Sequence, residues 1–150
     1  MKRQRRITAL NAVVATTTSS KLWVGGARRI GLQFRAAAIT SGNGAFTVKG
    51  SLDPYDIATG ATNDAFGNKT GGATVAVAAL NMVVSNVTNT NAQNRTRVTS
   101  TTLSANGDAM AWLEFDVLVN WLEITVTRTT DGTYSAFIVI EEDADAQAGN

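Results

Sequence analysis

The chain has 150 residues, 44% of them hydrophobic and 17% charged, with a formal net charge of +1. That length fits one domain, large enough to bury about 70% of its unfolded surface without covalent staples. With neither cysteine nor histidine, it excludes disulfides, thiolate or imidazole metal ligands, and any Ser-His or Cys-His nucleophile.

The start carries Lys2, Arg3, Arg5 and Arg6, four of the 13 basic residues. A basic cluster ahead of the core reads as an N-terminal arm over residues 1–22, either solvated or strapped to a partner. Ile7, Leu10 and Val13 are spaced loosely for a helix, while the Thr/Ser run at 16–20 fits an extended path. That run also interrupts the apolar core of a signal peptide, and no window holds the ~18 apolar residues of a membrane span. Trp23-Val24-Gly25-Gly26 leads to the first clear strand, residues 30–39. There Ile30, Leu32, Phe34, Ala36 and Ala38 share a face, with Arg29, Gln33 and Arg35 among the opposite set.

Ser41-Gly42-Asn43-Gly44 is a turn, and residues 45–52 return as a strand with Phe46, Val48 and Leu52 inward, stopped by Asp53-Pro54. Residues 53–72 read as a long loop. Its Asp53, Asp56 and Asp64 match no calcium-loop spacing, and Gly67-Asn68-Lys69-Thr70 lacks the glycines of a phosphate loop. Residues 73–84 are a small-residue apolar strand. Residues 95–103 alternate as another, and 109–117 as a third, with Leu113, Phe115 and Val117 opposite Trp112, Glu114 and Asp116. A change of parity between Val119 and Leu122 places a bend near Asn120.

The last elements are two β-branched runs flanking Asp131-Gly132, the dipeptide of a two-residue type I′ hairpin. On that reading Thr130 faces Thr133, Val126 meets Phe137, and Ile124 meets Val139. Glu141, Glu142, Asp143 and Asp145 follow, four of the 12 acidic residues. The whole reads as all-β, an antiparallel β-sandwich of jelly-roll-like character with an extended N-terminal arm. Its expected divisions are the arm at 1–22, the sandwich at 23–141 and an acidic tail at 142–150.

Glu114 and Asp116, two apart on one strand face, stand about 7 Å apart. That is the separation of an inverting glycosidase pair, with Trp112 beside them to stack on a sugar. Carboxylates adjacent on one solvent face are ordinary, however, and acid/base pairs come from different strands. No catalytic residue, metal or cofactor is therefore assigned, and the chain reads as a non-enzyme. Trp112, Glu114 and Asp116 stay as a candidate glycan site. Trp23 and Trp121 read as packing residues, and Trp112, on the polar face, as the best partner contact. Arg28 and Arg29 extend the basic set, and paired arginines anchor carboxylates well.

Three blocks carry a resemblance: Phe46-Thr47-Val48-Lys49-Gly50-Ser51-Leu52-Asp53, Trp121-Leu122-Glu123-Ile124-Thr125-Val126-Thr127 and Gly132-Thr133-Tyr134-Ser135-Ala136-Phe137-Ile138. With them the chain resembles small virion proteins of tailed bacteriophages, in particular capsid decoration (cement) proteins. The resemblance implies a sandwich or jelly roll, often a homotrimer, made in the host cytoplasm and seated on the capsid exterior. There it would clamp adjacent major capsid protein subunits, without an active site. No family motif transfers by position. The expected capsid contacts are Lys2, Arg3, Arg5, Arg6, Arg28, Arg29 and Trp112. Nucleic acid is not expected as a partner, because four arm charges are few for binding a genome. Two rival readings are a jelly-roll coat protein with a genome-contacting basic arm and a carbohydrate-binding module on a virion surface.

Overall fold

The computed structural model describes residues 2–51, 61–63, 69–74, 78–85, 95–113 and 119–143. In chain order the strands are β1 (Lys2–Val13), β2 (Thr17–Thr18), β3 (Leu22–Trp23), β4 (Ala27–Ala37), β5 (Gly44–Ser51), β6 (Ala61–Asn63) and β7 (Lys69–Thr74). They continue with β8 (Ala78–Ala79), β9 (Met82–Ser85), β10 (Arg95–Val98), β11 (Ser100–Leu103), β12 (Gly107–Leu113), β13 (Trp121–Arg128) and β14 (Thr133–Asp143). No helix occurs among the described residues.

Two antiparallel sheets make the sandwich. The first runs β1-β14-β4-β12-β9-β10, and the second β11-β5-β13-β2, with β3 also on β13 and β8 on β5. From β10 to β14 every connection changes sheet, so consecutive strands face each other across the core rather than pair. This is the alternating connectivity of a jelly roll.

Alternation dictates the layers. Ile30, Leu32, Phe34 and Ala36 of β4, Ile138 and Ile140 of β14, Phe46 and Val48 of β5, and Leu122, Ile124 and Val126 of β13 are all buried. Phe34 of one sheet stacks on Phe46 of the other with centroids 4.5 Å apart, and Tyr134 meets Phe46 edge-on at 6.1 Å. Each such ring removes enough apolar surface to contribute ~1.5–3 kcal/mol, so this joint is a principal tie between the layers.

The structure corrects the hairpin. β13 pairs with β5, and β14 with β4 and β1, so Asp131-Gly132 carries the chain from one sheet to the other. A type I′ turn needs positive φ at both central residues, and of the two only Gly132 has it, at 98°. Val126 therefore pairs with Phe46, Ile124 with Val48, Phe137 with Gln33, and Val139 with Gly31. Residues 41–44 likewise cross between sheets instead of folding β5 back on β4.

The two crossings are bolted together. The Asp131 carboxylate accepts the backbone N–H groups of Thr40, Ser41 and Gly42 at 3.0, 3.1 and 2.8 Å. Tyr134 donates its hydroxyl to the Asp131 carbonyl at 2.9 Å. Gly44 makes room for that ring, since a Cβ there would collide with Tyr134 Cε1.

Residues 2–13 are extended, as expected of the N-terminal segment, but they are bound into the first sheet as its edge strand. β1 pairs with β14 from Lys2↔Asp143 to Val13↔Tyr134, with bulges between Thr8 and Leu10 and between Leu10 and Val13. Leu10 is buried in the core. Residues 2–13, expected as part of the arm, thus belong to the first sheet, and β14 runs to Asp143, past the expected start of an acidic tail. Other single runs are divided. Residues 95–103 change sheets at Thr99, residues 73–84 contribute to β7, β8 and β9, and the expected loop at 53–72 contains β6 and the start of β7. Leu52, Phe115, Val117, Asp53, Asp56 and Asp64 lie outside the described residues.

Candidate groove on the outer face of the first sheet

The outward residues of the first sheet line up in rows across the strands. One row is Gln4, Glu141 and Arg29. The next is Arg6, Val139, Gly31, Trp112 and Val83. Beyond it come Thr8, Phe137, Gln33 and Met110, then Ser135, Arg35 and Asp108. Between Arg29 and Arg35 the outward positions of β4 carry long side chains except at Gly31. That gap opens a groove of about 540 Å³, lined by residues of β1, β4, β12 and β14 that include Gln4, Arg29, Gly31, Trp112, Val139 and Glu141. A Cβ added at Gly31 would meet only Val139, at 3.9 Å, and no atom of Trp112 within 4 Å. The floor between Trp112 and Val139 is therefore open.

Charge is arranged around it. Lys2 pairs with Glu141 at 3.4 Å, and Arg5 with Glu142 at 3.2 Å while also donating to the Trp23 carbonyl. The Arg6 guanidinium lies 4.3 Å from the centroid of Phe137, within cation–π range. Arg35 grips Asp108 through two hydrogen bonds at 2.8 and 3.0 Å, and Gln33 adds a third at 2.8 Å. The Arg35 hydrogen bond, against some desolvation and with help from Gln33, holds the Asp108 carboxyl below the ordinary 3.8. The Arg29 side chain makes no hydrogen bond or ion pair among the described residues.

The sequence-derived set is thus divided. Arg6, Arg29 and Trp112 share the outer face, Arg28 borders the groove, and Lys2 is paired at its rim. Arg5 has the opposite parity and ties β1 to β3, with Arg3 in step with it. Trp112 is half-buried; Glu114 and Asp116 lie outside the described residues. Trp23 is 47% exposed and packs edge-on against Trp121 at 5.1 Å. Among the described residues no three His, Cys, Asp or Glu are placed to hold a metal, and no helix is long and apolar enough to cross a membrane.

The sequence matches no family model and no curated protein. Its fold is similar to that of a solved structure, the SPBc2 prophage-derived protein YomS. The TM-score is 0.53 at 16% sequence identity, over 93% of this chain and 95% of that one. At that identity the likeness is one of fold, from end to end.

Sequence reasoning missed Gly31, Gln4, Val139 and Glu141. A signal existed at Gly31, where the outward set Arg29, Gln33, Arg35 skips a position. A glycine inside a strand marks a close approach or a vacancy. The other three become neighbours only through the β1–β14–β4 pairing.

Proposed function

We propose that the chain is a non-enzymatic virion structural protein that decorates a phage capsid exterior and stabilises it by bridging major capsid protein subunits. The observation that carries this reading is the end-to-end likeness of fold to a prophage-derived protein. The strand blocks that resemble cement proteins agree with it. A sandwich whose layers interlock through Phe34, Phe46 and Tyr134 suits a mechanical task. Many weak contacts become strong together when a shell presents them in a fixed array, and a homotrimer on a threefold position would multiply them. A genome-contacting arm is less well served, because Lys2 and Arg5 are engaged by Glu141 and Glu142.

The test is heat resistance of capsids assembled without the chain. They should release their genome at lower temperature than complete capsids and regain resistance when the purified protein is added. Equal resistance with and without it would contradict the proposal.

A further inference from the structure

We infer that the groove over Gly31 is the capsid-docking site, and that it receives an acidic segment of the shell protein with one apolar side chain seated between Trp112 and Val139. This rests on the decoration reading above and names the partner surface it needs. Three observations carry it. The floor at Gly31 is open, with Val139 alone within reach of an added Cβ, so a side chain from outside can enter. The walls are an indole and a branched aliphatic, the kind of desolvating pocket in which interface anchors concentrate. The rim is basic in balance, because Lys2 neutralises Glu141 while the Arg29 guanidinium, which lines the groove, has no ion pair among the described residues. A guanidinium presents a planar fork that carboxylates match, so complementarity selects an acidic partner.

The experiment measures binding of the purified protein to capsids assembled without it, for wild type, Gly31→Leu and Arg29→Glu. Gly31→Leu fills the groove and Arg29→Glu reverses the rim. Melting temperature serves as the folding control for both. Wild type should bind, less tightly as salt rises, and each variant should lose at least about tenfold in affinity at an unchanged melting temperature. If Gly31→Leu failed to fold, Arg29→Glu would still decide the matter. Variants that bind as wild type does would overturn the groove as docking site while leaving the decoration reading intact. Wild type that does not bind at all would overturn the decoration reading itself. Binding of a soluble oligosaccharide that Gly31→Leu abolishes, with capsid binding intact, would give the groove to a sugar and overturn this inference.

Discussion

Asp131 ties the two crossings between the sheets together through its side chain. One carboxylate holds three successive backbone amides of the facing loop, a concave arrangement of N–H groups suited to an anion. Desolvation pushes its pKa up, but the amides of Ser41, Thr40 and Gly42 outweigh that and leave it below the ordinary 3.8. Asp108 is held low as well, by Arg35. A carboxyl depressed in the folded state stabilises fully above its unfolded value, and that contribution drains away as pH falls through the folded value. The melting temperature should therefore be level from neutrality to about pH 5 and drop below about pH 4. In an Asp108→Asn, Asp131→Asn double variant the neutral melting temperature should be lower and the acid slope shallower. A slope equal to wild type would remove these two groups as its source. Burial, then the Asp131 charge, push the Tyr134 phenol up, so it remains a donor. Tyr134→Phe should cost about 1 kcal/mol by urea denaturation. Gly44→Ala, which drives a methyl into that ring, should cost about 1–3 kcal/mol.

Among the elements, β1 is the one whose role differs most from its appearance in sequence. Lys and Arg at the start of a chain resemble a solvated arm, and on an edge strand the same residues discourage pairing with other chains. Its ion pairs with Glu141 and Glu142 are partly exposed and contribute ~0–1 kcal/mol each. The ladder to β14 and the burial of Leu10 do more. Deleting residues 2–6 should lower stability in urea by more than one exposed ion pair can supply, whereas the Lys2→Gln, Arg5→Gln variant should change it by less. Equal effects would mean that the charges, not the ladder, hold β1. Periodicity made the buried faces of β4, β5, β13 and β14 legible, because alternation depends only on local geometry. It could not reveal which strands pair. The apolar face of β13 meets that of β14 across the core, and the pattern is the same whether two such runs lie side by side or face to face. Asp131-Gly132 carried a true signal, the positive φ of Gly132, and the side-chain role of Asp131 was what redirected it. The oppositely charged ends gave a cue too, since they meet each other in one sheet.

At the scale of the whole molecule, two sheets joined by repeated crossings make a body in which pulling on one strand loads both layers. Such a body suits the load-bearing task proposed for it, the clamping of neighbouring shell subunits. The candidate contacts were legible as residue types, Arg and Trp, but their gathering point was not, because Gly31 is informative only once β12 and β14 flank β4. If the chain assembles before docking as the proposed trimer, light scattering on the purified protein should give three times the chain mass, and the mass of a single chain would place any assembly on the shell. On the decoration reading proposed above, the most direct test is the copy number of the chain in gradient-purified virions, measured against the major capsid protein. A fixed, high ratio to the shell subunits, with the chain on the particle exterior, is the result predicted here. Virions that lack the chain, or carry only a few copies of it, would contradict the account.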